Sequence, residues 1–94
     1  MPVEQDPAPT PDIVTCTLLA DKIAMRLAGD LSDADLAAWA FDCFYAIELG
    51  RARCAPGDEK RITETLDMLM FADDAAFRLD EEELRRLAAL LREL

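Results

Sequence analysis

Apolar residues recur at three- and four-residue spacing through four stretches of the chain, a period typical of helices that bury one face. The predicted helices cover residues 11–28, 32–49, 58–71 and 80–93. No alternating apolar run that would indicate a β-strand or a hairpin occurs between them, and there is no internal repeat. We therefore expect an all-α fold, a compact four-helix bundle that makes residues 11–94 one helical domain.

The second predicted helix has the clearest boundaries. Ser32 is a favourable N-cap, and Asp35 three residues later is placed to accept a hydrogen bond from the Ser32 backbone N–H. Leu31 and Leu36 have the spacing of a hydrophobic staple, and Gly50 supplies a residue that adopts positive φ after the last turn. The last helix begins with the same devices, in Asp80 with Glu83 and in Leu79 with Leu84.

The other two helices have simpler boundary signals. Thr10 and Pro11 predict the start of the first helix, and Gly29 predicts its end. Only residues 29–31 connect it to the second helix, so we expect these two helices to be neighbours and roughly antiparallel. Asp58 is the expected N-cap of the third helix.

Residues 1–10 are predicted to form a disordered N-terminal arm. Pro2, Pro7 and Pro9 lie within it, and prolines exclude a helix interior and favour an extended, solvated chain. The arm lacks the basic and apolar regions of a signal peptide, and no later run approaches the roughly 20 apolar residues that span a bilayer. We therefore expect a cytoplasmic protein.

The second helix carries two apolar stripes. Phe41 and Tyr45 form the smaller one, rotated away from the first. Both stripes are buried if the helix is central in the bundle, and aromatic stripes usually pack inward, which favours this arrangement. The alternative is that the aromatic stripe is partly exposed beside Asp42 and Glu48, where it would suit a basic partner. The larger stripe consists of Leu36, Trp39, Ala40, Cys43, Phe44 and Ile47.

The charge of the chain restricts its partners. Twenty acidic residues against ten basic ones give a net charge of −10 over 94 residues. Such a charge repels nucleic acid and anionic membranes, so we expect neither as a direct partner. It speeds the encounter with a basic protein by electrostatic steering.

The residue types that catalysis and metal binding require are scarce. The chain has no histidine, which excludes Ser-His and Cys-His dyads, and its three glycines are too scattered for a phosphate-binding loop. Cys16, Cys43 and Cys54 form no CxxC pair, so we expect neither a metal site nor a disulfide framework. Arg51 and Arg53 lie just before Cys54, and a lowered thiol pKa there is an alternative that we do not favour. We expect a binding protein without a cofactor, and not an enzyme.

Three segments of the chain resemble small acidic bacterial immunity proteins. Gly29 and Ser32 match a G-x-x-S step, residues 37–40 match an A-x-W-A pattern, and residues 66–73 match L-x-x-L-x-x-A-D before an acidic final helix. The resemblance covers roughly residues 19–91. It implies an antidote to a contact-dependent growth inhibition or colicin-type toxin, often a basic nuclease.

On this resemblance, two acidic surfaces are candidates for binding the toxin by occlusion. The first joins the third helix to the fourth and is more acidic than helix capping requires. Charge reversal of Asp73 and Asp74 to lysine is expected there to weaken toxin binding by several kcal/mol. The first surface comprises Asp67, Asp73, Asp74, Asp80, Glu81 and Glu82. The second comprises Asp35, Asp42 and Tyr45.

Two other classes of function fit the same composition. An acidic helical regulator or nucleic-acid-mimicking inhibitor, such as an antitoxin, an anti-sigma factor or a phage inhibitor, shares the charge and the lack of catalytic residues. A self-associating structural module is the other class, if Phe41, Tyr45, Leu90 and Leu94 are exposed and bury one another across a two-fold axis. An immunity protein is expected to be a monomer or a weak homodimer.

Overall fold

The computed structural model describes residues 12–76 and 79–93. Four helices are present, as the periodicity predicted, and a short strand pair accompanies them. The predicted N-terminal arm, with Thr10 and Pro11, lies outside the described residues, as does Leu94. In chain order the elements are β1 Ile13–Val14, α1 Cys16–Ala28, α2 Asp33–Glu48, β2 Arg53–Cys54, α3 Glu59–Leu69 and α4 Glu81–Arg92.

The start of the first helix was predicted wrongly. Thr15 is the N-cap of α1, and its hydroxyl accepts a hydrogen bond of 3.0 Å from the Leu18 backbone N–H. The preceding Ile13–Val14 forms β1, which pairs in parallel with Arg53–Cys54 of β2. Two β-branched residues favour this extended conformation, and the pairing satisfies backbone groups 40 residues apart in register. The strand pair therefore corrects the strictly all-α prediction.

The predicted end of α1 and the predicted starts of α2 and α4 rest on observed caps. Gly29 ends α1 with a φ of 87°, and the Ser32 hydroxyl accepts a hydrogen bond of 3.0 Å from the Asp35 backbone N–H. A complete capping box starts α4, because Asp80 and Glu83 each accept a hydrogen bond from the other's backbone N–H, at 2.8 and 3.0 Å. The caps formed by Gly29, Ser32 and Asp80 with Glu83 are confirmed, whereas the described residues show no return hydrogen bond from the Ser32 backbone N–H to Asp35.

The start of α3 differs in detail from the prediction. Asp58 stands at the N-cap position, but its side chain makes no capping hydrogen bond. The Glu59 carboxylate instead accepts a hydrogen bond of 3.1 Å from the Gly57 backbone N–H. Gly57 has a φ of 89°, and this turn directs its N–H toward the first residue of the helix.

The helices pack chiefly as two pairs, α1 with α4 and α2 with α3. The predicted α1–α2 neighbours make fewer contacts, because a short link fixes only the adjoining helix ends. Arg92 bonds Asp21 at 2.9 Å and Arg26 lies 3.8 Å from Glu81, so α1 and α4 run in opposite directions. The core between the pairs includes Leu19, Ile23, Leu36, Cys43, Ile62, Leu66, Leu69, Leu84 and Leu91.

The two apolar stripes of α2 have different environments. Leu36, Trp39 and Cys43 are buried, and the Lys22 ammonium lies 5.3 Å from the centroid of the Trp39 ring. Phe41 and Tyr45 are 45% and 53% exposed. The favoured interpretation, with both stripes inside, is therefore wrong. α2 is covered on one side, and its aromatic stripe faces solvent.

Replacing Asp80 by alanine is expected to destabilise the fold by about 1 kcal/mol, because it removes the carboxylate that accepts the hydrogen bond from the Glu83 backbone N–H, while the bond from the residue-80 backbone N–H to Glu83 is retained. Urea unfolding followed by circular dichroism measures this change. Asp67→Ala is the matched control, since Asp67 is exposed in α3 and the change should stay within about 0.5 kcal/mol. Equal stabilities of the two variants would contradict a structural role for Asp80.

Candidate protein-binding surface

One continuous side of α2 is exposed along the whole helix. Its residues follow one another at three- and four-residue steps and so form a single helical face about 20 Å long. We name this set the α2 face. It comprises Ala34, Asp35, Ala38, Phe41, Asp42, Tyr45, Glu48 and Leu49, the last of which directly follows the helix.

An aromatic pair occupies the middle of the α2 face. The ring centroids of Phe41 and Tyr45 are 4.7 Å apart and the ring planes meet at 79°, which is the edge-to-face arrangement that aromatic quadrupoles favour. The two residues are one helical turn apart, so their contact needs no tertiary packing to form. Each ring therefore orients the other, and both remain exposed to solvent.

The carboxylates of the α2 face have no neutralising neighbour. Among the described residues, Asp35, Asp42 and Glu48 form no ion pair with a lysine or arginine. All three are exposed, and α2 itself contains no basic residue. The second predicted surface, of Asp35, Asp42 and Tyr45, therefore lies together on one face, where no ion pair within the described residues offsets its carboxylates.

The first predicted surface is exposed but partly engaged in local structure. The Asp74 carboxylate accepts a hydrogen bond of 2.8 Å from the Ala76 backbone N–H, and Asp80 caps α4. Asp67 and Asp73 are exposed, and neither forms an ion pair within the described part of the chain. This surface therefore offers fewer free carboxylates than its composition suggested.

The glutamates of that first surface are paired with arginines. Glu81 lies 3.4 Å from Arg85 and 3.8 Å from Arg26, and Glu82 lies 3.4 Å from Arg86. The two pairs within α4 have the i,i+4 spacing and were readable from the sequence. The contact between Arg26 of α1 and Glu81 of α4 joins two helices that are distant in sequence, so no local sequence pattern predicts it. These exposed pairs contribute little stability, but they reduce the negative field of α4.

The two candidate surfaces thus differ in free charge and in aromatic content. The α2 face combines two exposed rings with three carboxylates that have no ion pair in the described part of the chain, whereas the other surface has part of its charge offset by arginines. No family model, curated protein or solved structure matches this chain. The α2 face is therefore identified as the candidate binding surface from the exposure, charge and aromatic content of its own residues.

A cleft of about 640 Å³ opens where the end of α2 meets β2 and the first turns of α3. Ile13, Ile47 and Cys54 contribute apolar lining, and Arg53 and Glu59 contribute one charge of each sign. Because those two charges cancel, the cleft has no electrostatic preference for a partner. The α2 face, by contrast, carries charges of one sign only.

The arginines before Cys54 do not lower the pKa of its thiol. Burial raises the pKa of the Cys54 thiol, and the negative charge of Glu59 raises it further. Successive side chains of a strand point to opposite sides, so Arg53 is exposed in β2 while Cys54 is half-buried. The arginine charge next to it in sequence therefore stays in solvent and does not stabilise the thiolate.

The other two thiols are also held in the protonated state. Burial raises the pKa of Cys43 to about 11, with a smaller contribution from the Asp42 charge. Burial and the charge of Asp58 raise the pKa of Cys16. Over residues 12–76 and 79–93, no group of three or more acidic or cysteine side chains is placed to hold a metal ion. None of the helices in these residues has both the length and the apolar character required to cross a membrane.

Thiol alkylation of the folded protein is expected to be slow and to begin at Cys54. The half-buried Cys54 is the most accessible thiol, and its rate should rise with pH beyond the usual thiol pKa of 9.0, where the thiolate forms. Cys16 and Cys43 should react only after unfolding. Mass spectrometry of iodoacetamide-treated protein, native and in urea, measures this order. Rapid native modification of Cys43 would contradict its burial.

Proposed function

We propose that this chain is an immunity protein that binds a basic bacterial toxin domain, a nuclease in the first instance, and neutralises it. The observation that carries the proposal is the α2 face, where Asp35, Asp42 and Glu48, which form no ion pair within residues 12–76 and 79–93, flank the exposed Phe41–Tyr45 pair. Aromatic residues are enriched among the residues that dominate binding energy, and charges around them choose the partner. The net charge of −10 adds a long-range attraction for a basic partner.

The proposed mechanism is occlusion. A nuclease presents lysine and arginine side chains to hold phosphates, and the carboxylates of the α2 face would occupy those positions. The charges would then speed association, and the aromatic pair, once buried, would slow dissociation. The proposal includes a four-helix bundle as the rigid support of α2, and action in the cytoplasm of the cell that makes the toxin.

A self-associating module is the second candidate, because Phe41, Tyr45 and Leu90, three of the four residues that it requires to be exposed, are exposed. A two-fold contact through the α2 face would, however, bring the same carboxylates toward each other, and like charges at close range cost binding energy. A basic partner removes this repulsion. Light scattering of the isolated chain separates the two, since the immunity proposal predicts a monomer or a weak homodimer and the module predicts a stable oligomer.

The test of the proposed function is protection from a toxin. If the reading frame next to this one encodes a secreted protein with a basic C-terminal domain, that domain is co-expressed with and without this chain. The proposal predicts arrested growth without the chain, normal growth with it, and co-purification of the two proteins. Continued growth arrest although the chain is present in soluble form would overturn the proposal. Co-purification of a regulatory protein such as a sigma factor, instead of a toxin domain, would overturn it as well.

A further inference from the structure

We propose that the α2 face takes an arginine side chain of the basic partner at its centre, in preference to lysine. This inference rests on the proposed function, because it names the chemistry of the group that the same face would bind. The structural basis is the juxtaposition of an exposed aromatic pair with carboxylates that have no partner in the described part of the chain.

Tyr45 is the centre of the arrangement. Phe41 and Asp42 lie four and three residues before it, and Glu48 lies three residues after it. Side chains at these spacings are neighbours on a helix surface, so the Tyr45 ring has a second ring and two carboxylates around it. The exposed fractions of Phe41 and Tyr45, 45% and 53%, leave ring surface open to an approaching group.

A guanidinium matches both parts of this surface. It is planar and weakly hydrated, so it stacks on a ring, and its fork of N–H donors bonds a carboxylate through two parallel hydrogen bonds. An ammonium is a compact and strongly hydrated point charge, and it gains mainly the charge attraction. Only arginine therefore uses the rings and the carboxylates at the same time.

The acidic start of α4 offers a contrast within the same molecule. Its exposed Glu81 and Glu82 already face Arg85 and Arg86 of their own helix, and neither has a ring contact in the described residues. A partner arginine would have to displace those internal pairs. On the α2 face no such exchange is needed, because Asp42 and Glu48 have no ion pair among the described residues.

The experiment is an NMR titration of the full ¹⁵N-labelled chain with two blocked peptides, one of alternating alanine and arginine and one of alternating alanine and lysine. At low ionic strength the arginine peptide should bind about 3-fold more tightly or better, the gain expected from stacking at an exposed ring. The largest shift changes should fall on the amides of residues 41–48. Equal affinities, or shift changes centred on residues 67–82, would overturn the inference.

Matched variants separate stacking from charge. Phe41→Leu with Tyr45→Leu should remove the part of the arginine preference that comes from stacking, about 3-fold, while leaving charge-driven binding of both peptides. Asp42→Asn should weaken binding of both, and Glu64→Gln, an exposed carboxylate lining the α3–α4 groove, should change neither. Persistence of the full arginine preference in the double leucine variant, with native circular dichroism, would also overturn the inference.

Failure of the inference and failure of the proposed function give different results. If both peptides bind equally while the chain still protects cells from a toxin, arginine recognition is wrong and the function stands. If the arginine preference is measured but no basic toxin domain is neutralised, the property of the surface stands and the function is wrong.

Discussion

Asp42→Lys is expected to weaken binding of the basic toxin domain by about 2–5 kcal/mol, the range for losing and reversing a charge buried in a complex. Asp42 adjoins the Phe41–Tyr45 pair, where water would be excluded most fully on binding. The substituted lysine would face the basic groups of the toxin and be repelled by them. The isolated protein should keep its stability, since Asp42 is exposed and has no ion pair among the described residues.

Calorimetric titration of the purified toxin domain measures this change, with two comparison variants. Glu64→Lys makes the same change of charge on α3 and should alter affinity only through the weak long-range field. The double variant Asp73→Lys, Asp74→Lys tests the other candidate surface. A larger loss in that double variant than in Asp42→Lys would move the binding site to the loop between α3 and α4.

Leu66→Ala is expected to destabilise the fold by about 2–5 kcal/mol, the cost of removing a fully buried leucine and leaving a cavity. Leu66 lies in α3, which packs against α2 and supports it from behind the exposed face. At a temperature where the variant stays folded, its affinity for the toxin domain should be unchanged. The substitution would therefore distinguish residues that stabilise the packing of α2 from residues that contact a partner directly.

Urea unfolding followed by circular dichroism gives the free energy of unfolding of this variant. Glu64→Ala is the control on the same helix, and its exposed side chain predicts a change within about 0.5 kcal/mol. A loss below about 1 kcal/mol for Leu66→Ala would show that the α2–α3 core is loosely packed and contradict the arrangement described above.

Signals that act within one helical turn were readable from the sequence. The Asp80–Glu83 capping box and the Ser32 cap involve residues three apart, so residue type and spacing determine them without tertiary information. Gly29 likewise ends α1 because it adopts the positive φ that other residues avoid. This is why the starts of α2 and α4 and the end of α1 were predicted closely.

Long-range pairing was not readable. The extended conformation of Ile13–Val14 depends on Arg53–Cys54, and a two-residue strand is too short to leave a periodic signal. The apolar spacing around Ile13 therefore looked helical. The same limit applies to Arg26, whose bonds to Asp33 and Glu81 join the end of α1 to the starts of α2 and α4.

The candidate site was predicted in its residues but not in its exposure. Helical spacing showed that Phe41 and Tyr45 form a stripe separate from Leu36 and Cys43, but spacing does not show which stripes other helices cover. That depends on the pairing of α1 with α4, which leaves one side of α2 open. The free negative charge at the start of α4 was overestimated because the i,i+4 pairs of Glu81 with Arg85 and of Glu82 with Arg86 were not considered.

The most direct test of the central claim is a cross-saturation NMR experiment on the labelled chain bound to the basic toxin domain. Saturation of the toxin should transfer to the amides of Phe41, Asp42, Tyr45 and Glu48 and leave the amides of residues 73–82 nearly unaffected. Transfer centred on residues 73–82, or no complex with any basic domain, would contradict the account.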